Sequence, residues 1–310
     1  MKISPAELEK NARKFNLNDK IISDLLDYEK EADEALAQEI WNTPFSQLPR
    51  ERLRSLMGEE KMRLLFLYTA VANREKMEAL YAERNYPSIM LDDISKDLAL
   101  WVEKTILDYG KTGLGERAWD WSKALMDGKV LQFGRLQCEL QHEYKGKMCV
   151  VERDGRKVFI PVEEKQAGEK LFFAPGDAAI NIHIPASGPL KMEACLDSFR
   201  RIREFSEERQ KEYHWKGFMI YSWILDPFFA NFNPESNLAK LQKLGPLYDL
   251  KLDQRNEVLW RVFHLTAEKS NSLKDYTLLP GNTSMERAVK DHLQKGGRFS
   301  EYAMIVLREG

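Results

Sequence analysis

The sequence predicts an α+β chain in which an all-helical N-terminal domain, residues 1–127, precedes a mixed β-sheet flanked by helices, residues 128–310. The first observation is a change in hydrophobic period, from three or four residues before Gly128 to two residues after it. The second is size: the chain has 310 residues, 43% of them hydrophobic. Because single cores stop growing near ~250 residues, we expect two domains.

Helical patterns fill the N-terminal domain. In NDKIISDLLDYEKE the apolar residues share one face, and Asn18 is placed to cap the first turn. The longest helix is predicted for EEKMRLLFLYTAVANREKMEALYAERN, residues 59–85. LDDISKDLALWVEKTILDYG is predicted as a further helix that ends at Gly110.

Strand patterns begin after Gly128. In LQCEL the apolar residues alternate with polar ones such as Glu139, as in a half-buried strand. KMCVVERDGRKVFIPV is typical of a hairpin with an Asp-Gly turn, and LFFAPGDAAINIHIP predicts another strand. After the turn that contains Pro189, a helix with Met192 in its buried stripe is predicted to run to about Glu208. Beyond it, the predicted strands are WKGFMIYSWIL, EVLWRVFHL and YAMIVL, and the predicted helices are SNLAKLQKL and SMERAVKDHLQKGG.

Charge and composition exclude several classes of partner. The formal net charge is -2, so no long-range field favours nucleic acid or an anionic membrane. The N-terminal residues are charged, and no segment approaches the ~20 apolar residues that span a bilayer. The three cysteines match no metal or redox spacing, and the five histidines are scattered, so we expect no metal site. A cytoplasmic protein with buried thiols is the expectation.

The junction INIHIPASGPLKMEACLDSF joins a predicted strand to a predicted helix through a short turn. Amides at a helix start are unpaired, so such a turn can hold a phosphate. Pro185 and Pro189 have no amide hydrogen, and Pro189 suits the first turn of the helix. The potential donors are the amides of Ala186, Ser187, Gly188, Leu190 and Lys191. The alternative is an ordinary capped helix.

Three side chains are candidates for acid and base chemistry. Tyr221 lies on a predicted strand, where its hydroxyl can protonate a leaving group or simply pack. His183 and Glu139 are candidate bases, with partly exposed sheet residues as the alternative. Asp226, just before Pro227, is expected to fix a turn. Trp223 and Trp260 are expected in the core, although either can line a pocket.

Three segments carry a resemblance to a known family: FGRLQCEL (Phe133–Leu140), IHIPASGPLKMEACLDSF (Ile182–Phe199) and YSWILDP (Tyr221–Pro227). The C-terminal half resembles the GNAT-like C-terminal domain of bacterial acyltransferase-domain-containing proteins. The N-terminal helices are similar to the helical domain that precedes it in those proteins. Together the two resemblances cover nearly the whole chain.

The resemblance implies a site for an acyl-CoA co-substrate, acetyl-CoA or another. In acetyltransferases of this type the turn after the fourth strand binds the CoA pyrophosphate, and that strand diverges from the fifth to admit the pantetheine arm. The fourth strand then corresponds to Ala179–Ile184 and the fifth to Phe218–Ile224. The implied cofactor-binding residues are Ile184, Ala186, Ser187, Gly188 and Leu190.

The implied reaction is acyl transfer from CoA to an amine of a small molecule or peptide. The turn departs from the superfamily pattern, because the usual Arg/Gln-x-x-Gly-x-Gly/Ala motif is missing and only Gly188 is present. A degenerate, non-catalytic binding or regulatory protein is therefore the alternative.

Overall fold

The protein is described by a computed structural model over residues 3–209 and 213–308, apart from the side chain of Ala267. Contacts divide the chain into two compact units, residues 1–132 and residues 133–310, and each is described by itself. The domain boundary between residues 127 and 128 stays a prediction. Within the described residues, no helix combines the length and apolar composition that a membrane crossing needs.

The first unit is helical, as predicted. Asn18 caps its second helix by accepting a hydrogen bond from the Ile21 amide, and Gly110 ends the sixth in a left-handed conformation. The long helix predicted for residues 59–85 is instead interrupted at Asn73, whose side chain donates to the Thr69 carbonyl. The helices are α1 (Pro5–Lys14), α2 (Asp19–Glu29), α3 (Glu34–Asn42), α4 (Arg50–Ala72), α5 (Arg74–Glu83), α6 (Ile89–Tyr109) and α7 (Glu116–Met126).

The remainder of the chain builds two sheets with flanking helices. The strands are β1 (Leu131–Phe133), β2 (Leu136–Gln141), β3 (Met148–Arg153), β4 (Arg156–Pro161), β5 (Leu171–Phe173), β6 (Ala178–His183), β7 (Trp215–Ser222), β8 (Leu247–Asp253) and β9 (Ser300–Leu307). The helices are α8 (Met192–Arg209), α9 (Pro227–Phe232), α10 (Asn237–Gln242), α11 (Arg255–Phe263), α12 (Ala267–Ser272) and α13 (Ser284–Gln294). The predicted α+β class, a helical region followed by a mixed sheet with helices, is confirmed.

The larger sheet has six strands in the order β1-β2-β6-β7-β9-β8, and the smaller has the order β4-β3-β5. Strands β6 and β7 run parallel, whereas β2 with β6, β7 with β9, and β8 with β9 are antiparallel. The connection between the parallel strands β6 and β7 contains α8, as in a βαβ unit. The predicted Asp-Gly hairpin is also confirmed, since Asp154 and Gly155 both have positive φ between β3 and β4.

The two faces of the six-stranded sheet bury different layers. On one face α8 packs its apolar stripe, and the rings of Phe199 and Phe218 lie 4.8 Å apart. On the other face, side chains such as Met219 and Ala303 join a core with Val150 and Phe173 of the small sheet. Alternation along each strand thus assigns every residue to the helix side or to the small-sheet side.

Beyond β7 one sequence prediction was wrong and one strand was missed. EVLWRVFHL forms most of α11 instead of a strand, because Val258, Leu259 and Phe263 recur at helical spacing and pack with Leu293 in one core. Strand β8 was not predicted. Charged and apolar residues alternate along most of this strand, but none of them is fully buried. The hydrophobic pattern that would predict a strand is therefore weak.

One buried side chain connects the β1–β2 turn to α8. The Ser198 hydroxyl accepts hydrogen bonds from the amides of Arg135 (3.1 Å) and Leu136 (3.3 Å) and donates to the Ala194 carbonyl (2.8 Å). Ser206, further along α8, is equally buried, but its hydroxyl donates only to the Ile202 carbonyl of the same helix. The two serines differ in whether their hydroxyl joins two elements.

We expect Ser198→Ala to lower the free energy of unfolding by about 1–3 kcal/mol, because it leaves two amides without their acceptor. Ser206→Ala, the matched control, removes no hydrogen bond between elements and should cost less than about 0.5 kcal/mol. The midpoint of urea unfolding, followed by far-ultraviolet circular dichroism, measures both. Equal losses in the two variants would contradict the connection.

Candidate functional site

The parallel pairing of β6 with β7 ends before β7 does. Its last pair is Ile182 with Ile220, whereas β7 continues through Tyr221 and Ser222 and pairs there with β9. Pro185 follows β6 and has no amide hydrogen with which to extend the ladder. In this sense the two strands separate at this end: within the described residues, Tyr221 and Ser222 pair with β9 and with no residue of β6.

The turn after β6 spans residues 184–191. Among the hydrogen bonds within residues 3–209 and 213–308, none is donated by the amides of Ala186, Ser187, Gly188 or Leu190. Gly188 has φ +64°, and a side chain at this position would meet no atom within 4 Å. The turn is thus open on its Gly188 side and offers several backbone donors.

The start of α8 differs from the prediction. The helix begins at Met192, three residues after Pro189, so Pro189 belongs to the turn and not to the first helical turn. The strand bounds also shift slightly, because Ile184 lies just beyond β6 and Trp223–Leu225 forms a short 3-10 turn beyond β7.

Two of the three predicted acid-base residues are neighbours on β2 and β6. The Nε2 atom of His183 lies 3.7 Å from Oε2 of Glu139. Asn181 lies between them: its Nδ2 atom is 3.3 Å from His183 Nε2 and donates to Glu139 Oε2 at 3.5 Å. Glu139 is opposite Asn181 in the antiparallel register, so all three side chains share the small-sheet face.

Tyr221 is on the same face. Asn181 pairs with Met219, so Met219 lies on the same face of the sheet as Asn181 and His183. Tyr221 is two residues after Met219 and therefore lies on this face as well. Tyr221 packs against the core that Tyr144 shares with the small sheet. The fold therefore brings the three predicted catalytic residues to one face at the end where β6 and β7 separate.

Comparison with known families gives a match over the C-terminal part of the chain. The family model described as the GNAT-like C-terminal domain matches residues 130–303, more than half of the chain. The chain belongs to this family. The resemblance inferred from the three sequence segments is thereby confirmed for the C-terminal part. Comparison with curated proteins gives no match.

Solved structures similar to this GNAT-like protein are acyltransferases. A mutant acyltransferase in complex with octanoyl-CoA is 19% identical, with a TM-score of 0.70, over 98% of this chain and 88% of the other. An acyltransferase in complex with decanoyl-CoA and teicoplanin is 20% identical, with a TM-score of 0.68, over 97% of this chain and 88% of the other. A third, with decanoyl-CoA, is 20% identical, with a TM-score of 0.61, over 97% and 100%. These similarities establish the fold.

The surroundings of Glu139 and Tyr221 shift their pKa values in opposite directions. The imidazole of His183, 3.7 Å away, lowers the pKa of Glu139, against an opposing effect of burial. Burial raises the pKa of Tyr221 far above its ordinary value, and a hydrogen bond with Tyr144 raises it further. At neutral pH Glu139 is therefore a carboxylate and Tyr221 a neutral hydroxyl.

The remaining candidates are structural. Asp226 caps α9 by accepting from the Phe228 amide, and it also accepts from the Ser300 amide, which confirms the predicted turn role. The Trp223 ring packs edge-on against Phe229 in the core around α11. The three cysteines are buried and free, as expected.

Sequence reasoning missed two residues of the site. Asn181 is two residues before His183 on β6, and the alternation of that strand already places both on one face. Arg135, in the turn that precedes β2, donates to carbonyls of the turn after β6. No local pattern reveals that contact, because about fifty residues separate its partners in sequence.

We expect His183→Leu to raise the pKa of Glu139 back towards its ordinary value, because the variant removes the imidazole that lowers it. Carbon-13 NMR titration of labelled glutamate carboxyls measures this. The pKa of Glu139 is lower in the folded protein than in the unfolded chain. The contact with His183 therefore stabilises the protein at a pH above the unfolded pKa of Glu139, and this stabilisation is lost as pH falls through the folded pKa.

His142→Leu is the matched control, because His142 lies beyond the other end of β2 and its ring packs against Tyr213. Its loss should leave the Glu139 titration unchanged. An unchanged Glu139 pKa in His183→Leu would show that the pair does not form in solution.

Proposed function

We propose that this protein transfers an acyl group from an acyl-CoA to an amine of a small molecule or peptide. The observation that carries the proposal is the set of unbonded turn amides at the place where β6 and β7 separate. Membership of the GNAT-like family supports it. So do the structural neighbours, which are acyltransferases in complex with octanoyl-CoA, decanoyl-CoA or CoA.

The turn is the proposed pyrophosphate site. Backbone amides directed at the ligand, together with the positive end of the α8 dipole, favour an anion at this position. The proposed binding residues are Ile184 at the end of β6, where the pantetheine arm enters, and the turn residues Ala186, Ser187, Gly188 and Leu190. A CoA thioester and three free thiols both suit a protein of the cytoplasm.

The proposed chemistry uses the shared face of β2, β6 and β7. The amine nitrogen attacks the thioester carbonyl, a C–N bond forms, and the imidazole of His183 accepts the proton that the amine loses. The carboxylate of Glu139 stabilises the resulting imidazolium. When the C–S bond breaks, the hydroxyl of Tyr221 protonates the thiolate, so the products are the amide and free CoA.

The proposed chemistry defines the acceptor only by its chemical class, an amine. Two neighbouring acyltransferase structures are complexes that contain teicoplanin or 10C-teicoplanin. For this chain we propose an amine on a small molecule or peptide. The missing Arg/Gln-x-x-Gly-x-Gly/Ala pattern favours the second candidate, a non-catalytic protein that binds without turnover.

Gly188→Glu tests the cofactor site. Calorimetric titration of the wild type with acetyl-CoA, octanoyl-CoA and decanoyl-CoA should show micromolar binding of at least one. The variant should weaken it by about a hundredfold or more, because a carboxylate in the turn repels the pyrophosphate.

Two controls separate charge from strain. Gly188→Ala has the same positive φ without the charge, at a cost of about 1 kcal/mol in stability. Gly176→Glu introduces the same charge at a positive-φ glycine with open surroundings on the turn between β5 and β6. Both should bind nearly as the wild type does. No binding of any acyl-CoA to folded wild type would refute the proposed function.

Tyr221→Phe and His183→Gln test the chemistry. Once an acceptor is found by an amine screen that detects free CoA, each variant should lower kcat by about 10²–10⁴, because each removes a proton-transfer group. Binding of acyl-CoA should change little. Tyr302→Phe, on β9 opposite Ser222 and therefore on the other face, is the control. Unchanged turnover in both site variants would exclude these roles and favour water-mediated proton transfer.

A further inference from the structure

The turn after β6 lacks the Arg/Gln-x-x-Gly-x-Gly/Ala pattern, so its shape must be fixed by other residues. Arg135 is one such residue. Its Nη1 donates to the Pro185 carbonyl at 2.9 Å and its Nε donates to the Pro189 carbonyl at 3.3 Å. Its Nη2 also reaches the Gly188 carbonyl, at 3.5 Å. One guanidinium therefore contacts both ends of the turn.

These contacts determine where the amides point. In a trans peptide the carbonyl and the following amide hydrogen point in opposite directions. The carbonyl of Pro185 shares its peptide with the amide of Ala186, and the carbonyl of Pro189 shares its peptide with the amide of Leu190. Because Arg135 holds both carbonyls towards itself, the amides of Ala186 and Leu190 are directed away from it. The third carbonyl, of Gly188, precedes Pro189, so no donor is lost there.

Arg135 is itself held in place and has no acidic partner. Its own amide donates to the buried Ser198 hydroxyl of α8. Within the described part of the chain its guanidinium forms no ion pair with a carboxylate. Burial lowers its pKa without removing its charge. A full positive charge thus lies on the carbonyl side of the turn, opposite the amides of Ala186 and Leu190.

We propose that Arg135 is the positioning residue of the pyrophosphate site, where its guanidinium replaces the missing glycine-rich pattern by fixing the peptides of the turn. This inference rests on the proposed acyl-CoA binding function. In this inference a side chain from the turn between β1 and β2 directs the amides of Ala186 and Leu190 towards the ligand.

The test compares ligands that contain or lack the pyrophosphate. Calorimetry or competition measures the Kd of three ligands: the acyl-CoA that binds best, the same acyl group as the S-acyl-pantetheine, and adenosine 3′-phosphate 5′-diphosphate. Arg135→Gln should weaken the two pyrophosphate ligands by about ten- to a hundredfold, the range for a lost hydrogen bond to a charged group. S-acyl-pantetheine binding should change less than about twofold.

Arg135→Lys separates orientation from charge. A lysine retains the charge, but its ammonium cannot span carbonyls at both ends of the turn, so we expect it to restore little of the binding. Arg287→Gln is the matched control, because Arg287 on α13 likewise donates to the carbonyls of a turn, those of Gly281 (2.7 Å) and Asn282 (3.1 Å). It should leave all three Kd values unchanged.

Each outcome is decisive. Equal weakening of S-acyl-pantetheine by Arg135→Gln would show a general structural role and overturn the inference, as would unchanged binding of the pyrophosphate ligands. Full restoration by Arg135→Lys would show that charge alone suffices and would overturn the positioning role. If the wild type binds no acyl-CoA, the proposed function fails first; if it binds and Arg135→Gln binds equally well, only this inference fails.

Discussion

The proposed site depends on the early end of one parallel strand pair. β6 and β7 are paired only as far as Ile182 and Ile220, and the proline two residues after β6 has no amide with which to continue the ladder. β7 stays in the sheet beyond this point because β9 pairs with its other edge. The separation therefore costs the sheet little, and within the described residues it leaves the end of β7 without a partner on β6, next to a turn with unbonded amides.

β6 carries one of the proposed catalytic residues and leads into the proposed phosphate-binding turn. Alternate residues of β6 face α8 and the small sheet, so Ile180 and Ile182 pack against the helix while Asn181 and His183 meet Glu139 on the opposite side. The end of the strand leads directly into the turn. A proposed proton-transfer group and the proposed phosphate donors thus lie within a few residues of each other, supported by cores on both faces of the sheet.

Much of this could be predicted from local patterns. The period change after Gly128 separated helices from strands, and alternation placed Glu139 and His183 on polar faces of their strands. Their contact needs the register of β2 with β6, which no local pattern contains. The contact of Arg135 with the turn likewise depends on two distant segments. EVLWRVFHL was misread because a short apolar run is compatible with either period until its neighbours, such as Phe229, are known.

Hydrogen exchange at the turn tests the central claim most directly. Within the described residues the amides of Ala186, Ser187, Gly188 and Leu190 donate no hydrogen bond, so they should exchange within the shortest labelling times. Saturating acyl-CoA should slow their exchange, measured by subsecond labelling and mass spectrometry, whereas pantetheine should not, because it lacks the pyrophosphate. Protection of this segment by acyl-CoA alone is the predicted result. Unchanged exchange here in a protein shown to be saturated with acyl-CoA would contradict the account, because the cofactor would then bind elsewhere.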